Sequence, residues 1–107
     1  MIQHLETIYS FRRKSEVWRF LRDHPHLVEI LLEAVSYVRQ FFGPAALVSL
    51  EITRDPEGSG RPWLFVYIRT SLPSDEALAR LEAFDEEWFL DQLPQVVGQL
   101  NFNLEFA

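Results

Sequence analysis

"WLFVYIRT", residues 63–70, is the stretch on which the fold turns. Successive side chains of an extended chain point to opposite faces. Leu64, Val66 and Ile68 therefore share one face, and Trp63, Phe65 and Tyr67 share the other. A strand apolar on both faces is normally central and covered on both sides. The flanking sequence must then supply neighbouring strands and covering layers.

Upstream, "ALVSLEITR" (46–54) alternates Val48, Leu50 and Ile52 with Ser49, Glu51 and Thr53, the pattern of a strand with one dry face. The turn-rich "RDPEGSGRP" (54–62) joins the two strands as a hairpin. At the end of the chain, "QLNFNLEFA" (99–107) sets Leu100, Phe102, Leu104 and Phe106 strictly against Gln99, Asn101, Asn103 and Glu105. That is a third strand, with one face in the core and one in water.

Between and before the strands the apolar period lengthens to that of a helix. "SEVWRFLRDH" (15–24) has Ser15 as its N-cap and Val17, Phe20 and Leu21 on one side. Pro25 restricts His24 to extended conformations and suits the first position of a new helix, so a break is expected at His24. A second helix then runs from Pro25 to Phe42 and is closed by Gly43–Pro44. Its apolar face is widened by Val28, Leu32 and Phe42, which implies burial on more than one side or a partner contact. Ser74 reads as the N-cap of a third helix, with Asp75 and Glu76 in its first turn, where the helix dipole favours anions. "HLETIYSF" (4–11) fits either a short strand or a helix start, and residues 1–14 are left as an arm that caps the sheet or reaches a neighbour. The expected fold is α+β, one domain over residues 1–107, in the order α-α-β-β-α-β. Its two layers are helices and a small, mainly antiparallel, three-stranded sheet.

Composition narrows the function. At 107 residues the chain has room for one hydrophobic core, and 14% aromatic content is that of a folded protein. Without cysteine, neither a disulfide framework nor a thiolate metal site can form. No apolar run reaches membrane-spanning length, and the N-terminus lacks the order of a signal peptide, so a soluble, cytoplasmic protein with no membrane role is expected. Residues 45–107 carry eleven carboxylates against four cations, and the chain's formal charge is −6, which disfavours nucleic acid as a partner. The basic run Arg12, Arg13, Lys14, Arg19 and Arg22 is the one candidate for such a contact. It reads more simply as a solvated face or as a patch that meets an acidic surface.

"FDEEWFLD" (84–91) is the chemically suggestive stretch. On a continuous helix Ala77, Leu78, Leu81, Phe84, Trp88 and Phe89 fill one arc, and Asp85 falls inside it. An unpaired carboxylate in an apolar layer is costly. One reading breaks the helix, with Asp85 as the N-cap of a short helix Glu86–Gln92 and Pro94 beyond its end. The other keeps the helix continuous and holds Asp85 by an arginine or buried donors, a candidate acid–base group. The break is adopted, which assigns the carboxylates to capping and solubility. Glu86, Glu87 and Asp91 fan over too wide a sector to converge on a cation, and His24 with His26 supplies two imidazoles without a third ligand. No metal or cofactor is implied. The two glycines of "EGSGRP" (57–62), in a connection with no helix to follow, make at best a weak anion site.

Residues 66–106 resemble a group of small, uncharacterised bacterial proteins of a cyanobacterial type. The resemblance rests on I-x-T (Ile68, Thr70), L-P-x-x-E-A (Leu72–Ala77), F-D-E-x-W-x-L-D (Phe84–Asp91) and a closing L-x-x-x-L-E-F (Leu100–Phe106). Phe89 stands where that pattern has a second tryptophan, and the N-terminal half matches much less well. The resemblance implies a subunit or antitoxin-like role.

The function expected from these residues is a non-enzymatic interaction module that self-associates as a homodimer or binds a partner chain. The surfaces assigned to it are Trp63, Phe65 and Tyr67 on the strand and Val28, Leu32 and Phe42 on the second helix. The competing expectation is a small enzyme or ligand-binding protein with a cleft of carboxylates at Asp85, Glu86 and Asp91 and Arg69 as counter-charge.

Overall fold

Residues 63–70 form most of β3 (Pro62–Thr70), the longest strand, which lies between two neighbours in a four-stranded sheet. The computed structural model describes residues 1–54 and 60–107. Residues 55–59, which include the first half of "EGSGRP", lie outside the described residues. The remaining strands are β1 (Ser10–Phe11), β2 (Leu47–Arg54) and β4 (Leu100–Phe106), and the sheet order is β1-β2-β3-β4. The helices are α1 (Ile2–Glu6), α2 (Lys14–Asp23), α3 (His26–Phe42), α4 (Ser74–Phe84) and α5 (Leu90–Val96). A π-helical turn, Asp85–Phe89, joins the last two.

The mixed α and β character and the three main strands match the sequence reading, but the sheet differs in two respects. It is mixed rather than mainly antiparallel: β2 and β3 run antiparallel, whereas β1–β2 and β3–β4 are parallel. Parallel neighbours need a long crossover, and α4 and α5 provide it between β3 and β4. The fourth strand, β1, has two residues, too few to leave a periodic signal.

Of the two paths left open for residues 1–14, the segment takes the one onto its own fold, with Ser10–Phe11 paired to β2. Leu5 is fully buried and Tyr9 is 2% exposed. The Tyr9 hydroxyl donates to the Leu31 carbonyl at 2.8 Å, and burial pushes the phenol well above its ordinary range. Glu6 accepts from the Trp18 indole and pairs with Lys14 at 2.8 Å, which ties α1 to α2. Arg13 turns the chain from β1 into α2 with φ of 50°, a left-handed conformation uncommon outside glycine. Ser15 and Ser74 are not caps: each lies inside its helix, α2 beginning at Lys14 and α4 at Ser74, and neither helix has a side-chain cap bond. The break at His24 is present and α3 begins at His26.

All five helices contribute to one core on the side of the even-numbered strand residues. Leu50, Leu64, Val66 and Ile68 are fully buried there, and Phe102 meets the rings of Phe84, Trp88 and Phe89 at 4.8–5.9 Å. The wide apolar surface of α3 is spent in this core. Val28 is 6% exposed, so its assignment to a partner surface fails; Leu32 and Phe42 are partly buried against the same cluster.

Because Leu5 and Tyr9 belong to the core, changes there should behave as core changes. Leu5→Ala is expected to cost about 2–5 kcal/mol and Tyr9→Phe about 1 kcal/mol in denaturant unfolding. A loose arm would give values near zero for both.

Candidate functional site

The odd-numbered residues of the sheet face away from every helix. Strand register lays them out as a grid. Along β3 run Trp63, Phe65, Tyr67 and Arg69. On the β2 side these face Thr53, Glu51, Ser49 and Leu47 in that order. On the β4 side Asn101 lies beside Phe65, Asn103 beside Tyr67 and Glu105 beside Arg69. The three aromatic rings are nearly parallel, with centroids 6.4 and 6.0 Å apart, and all three are partly exposed. Arg69, Asn101 and Asn103 are exposed, and Leu47 keeps 66% of its surface in water. The sheet is therefore covered on one face only, where the sequence implied two.

One side chain braces this face across all four strands. Arg12 follows β1 and reaches over β2, where its Nη1 donates to Glu51 at 3.3 Å. Its guanidinium lies 5.0 Å from the centroid of the Tyr67 ring on β3. Its Nη2 donates to both carboxylate oxygens of Glu105 on β4, at 2.7 and 2.8 Å. The Glu105 hydrogen bonds push the guanidinium above its ordinary range and hold it charged. Glu105 is also the cross-strand neighbour of Arg69. With Glu105 taken by Arg12, Arg69 forms no salt bridge among the described residues. An open cavity of about 390 Å³ at this end is lined by Arg12, Arg69, Leu47 and Ile8, among others.

The sheet edges are occupied. β1 covers part of β2, and the Arg12 amide donates to the Leu50 carbonyl at 2.9 Å. On β4 the odd residues bond to β3, as the contacts Leu64–Gln99 and Ala107–Thr70 show. The even residues must then point their N–H groups outward. Two of these, Phe102 and Leu104, donate instead to the side-chain oxygens of Asn101 and Asn103, both at 2.9 Å. Those donors are lost to an incoming strand.

The acidic stretch behaves differently from both sequence readings. Asp85 is no N-cap: its φ and ψ are −60° and −49°, and the helix continues through the π-turn into α5, which runs past Pro94 to Val96. Among the described residues no arginine pairs with it either. The wider π-turn keeps Phe84, Trp88 and Phe89 in the core and leaves Asp85 only partly buried. Burial raises the Asp85 pKa, and the neighbouring Glu82 carboxylate raises it further. Glu86 and Asp91 are exposed, and Arg69 lies on the opposite face of the sheet, so the proposed carboxylate cleft with an arginine counter-charge does not assemble. Trp88 explains the conspicuous indole in this stretch: it stacks on Tyr37 at 5.5 Å and donates to Glu33 at 2.6 Å.

His24, His26 and most of the basic run are also engaged locally. His24 stacks on Phe20, and His26 bonds to Gln99 at 2.7 Å. Arg12 and Lys14 are paired with glutamates, and the groove lined by Lys14, Trp18, Arg19 and Arg22 is shallow. No helix among the described residues is long and apolar enough to cross a membrane. The chain matches no family model, no curated protein and no solved structure.

The raised pKa of Asp85 has a definite sign. The fold favours its protonated form, so its stabilising contribution is complete below the unfolded carboxylate pKa and is lost as pH rises through the folded one. Asp85→Asn should therefore raise the melting temperature at pH 7, and the gain should shrink as the pH is lowered toward 4. A cap at this position would give no gain at neutral pH.

Proposed function

We propose that this chain is a non-enzymatic interaction module that binds a polypeptide on the open face of its sheet. The observation that carries the reading is the row Trp63–Phe65–Tyr67, partly exposed at the centre of a face that no helix covers. On the covered side of the sheet Phe84, Trp88, Phe89 and Phe102 are all at or below 6% exposure. Trp63, Phe65 and Tyr67 pack against none of that cluster.

The surroundings of the row fit a recognition surface. Specific interfaces place a few aromatic or arginine anchors at the centre and a polar rim around them. Here Thr53, Glu51 and Ser49 flank the row on one side, and Asn101, Asn103 and Glu105 on the other. Arg12 fixes Tyr67 in place before any partner arrives, which lowers the ordering cost of binding. The asparagine-capped β4 edge directs a partner to the face instead of to strand addition. The subunit or antitoxin-like role implied by the resemblance of residues 66–106 would use this same surface.

Truncating an anchor at the centre of an interface commonly costs 2 kcal/mol or more, about thirtyfold in affinity. Trp63→Ala and Tyr67→Ala should each weaken association by about that factor while the far-UV circular dichroism is kept. Light scattering measures self-association, and affinity capture with wild-type and Phe65→Ser bait measures a partner. A wild-type protein that stays monomeric at high concentration, and captures nothing that Phe65→Ser does not, overturns the proposal.

A further inference from the structure

We propose that the occupant of the open face is the α4–α5 layer of a second copy of this chain, packed head to tail; this rests on reading the open face as an interaction surface. The chain carries a formal charge of −6, and residues 74–96 alone carry seven carboxylates and one arginine. The whole net charge therefore sits on the helical crossover that covers the other side of the sheet. On the open face Arg12 and Arg13 offset Glu51 and Glu105, which leaves cations over. Arg69 lies at one end of the aromatic row without a carboxylate partner among the described residues, and Arg61 is exposed at the other end.

Shape and hydrophobicity agree with charge. Leu78, Glu82, Glu86 and Leu90 succeed one another at intervals of four through α4 and the π-turn, and all four are exposed. The two leucines each leave 52% of their surface in water, although they lie on the most acidic part of the molecule. Twelve helical residues span about 18 Å at the rise of an α-helix. The row from Trp63 to Arg69 spans about 20 Å at the rise of a strand. Set with Glu86 at Arg69, the ridge places Leu78 about 12 Å away, over the Phe65 end of the aromatic row. Helices would then cover both faces of β3, the arrangement usual for a strand apolar on both sides with a parallel neighbour. From strand spacing and rise the open face measures about 500 Å², against about 800 Å² per partner in a standard interface. A weak, reversible association follows.

Head-to-tail contacts are heterologous, so one copy uses its face and the next its ridge. Two variants separate these surfaces. Tyr67→Ala/Arg69→Glu removes the face, and Glu82→Lys/Glu86→Lys removes the ridge; both sets of side chains are in or at solvent, and circular dichroism checks the fold. In sedimentation velocity, wild-type protein should form concentration-dependent oligomers whose affinity falls at least tenfold between ~50 and ~500 mM salt, because exposed charge pairs are screened. Each variant alone should be monomeric, and an equal mixture should give a one-to-one dimer and nothing larger. A self-association lost in the face variant but untouched by the ridge variant overturns this arrangement and leaves the open face as a binding surface. Wild-type protein that is monomeric throughout, yet captures another protein through its intact face, overturns it as well. Loss of both self-association and capture removes the underlying function too.

Discussion

β3 is held in the middle of the sheet, and everything else is arranged around that constraint. Its backbone pairs along its length with β2 on one side and β4 on the other. Its even side chains are fully buried at Leu64, Val66 and Ile68. Pairing with β4 in parallel obliges the chain to leave one end of the sheet and return to the other, and that journey is α4, the π-turn and α5. The crossover needs an apolar side toward Phe102 and a wet side toward solvent. The wet side is where the net negative charge accumulates. Core geometry thus separates the acidic surface from the aromatic one.

The second consequence lies on the face the crossover does not cover. Trp63, Phe65 and Tyr67 are apolar at positions where a two-layer domain has no further layer to offer them. Arg12 partly shields Tyr67 and takes Glu105 with both oxygens, so that the cross-strand partner of Arg69 is spent within the fold. An internal brace therefore leaves an external cation. Surface pairs of this kind add little to stability, and the interest of this one is in what it leaves unpaired.

Much of the fold was legible in residue periodicity. The alternation of 47–54 and 100–106 and the helical spacing of 26–42 mark real elements, because each buries one face over most of its length. The direction of the last strand was not legible: Leu100, Phe102 and Leu104 would be buried equally in a parallel or an antiparallel pair. The two-residue β1 has no period to detect, and α1 is too short to show one, yet Leu5 and Tyr9 anchor that segment. Asp85 is visible in the sequence as misplaced on an ideal helix. Its resolution by a π-turn needs a hydrogen-bond shift that residue types do not announce. Among the site residues, Trp63, Phe65 and Tyr67 were visible as a second apolar face, whereas Val28 looked equivalent and is core. Period alone cannot say which of two apolar surfaces remains open, and the strap from Arg12 to Glu105 joins residues too far apart in sequence for pattern to link.

The most direct measurement of the central claim is hydroxyl-radical footprinting of Trp63, Phe65 and Tyr67 in dilute protein and in the associated or partner-bound state. Rings on an open face that becomes covered should be oxidised readily in the dilute monomer and protected on association, while Phe84 and Phe102 stay unreactive in both. Rings already protected in the monomer, or equally reactive after a complex has formed, would contradict the account.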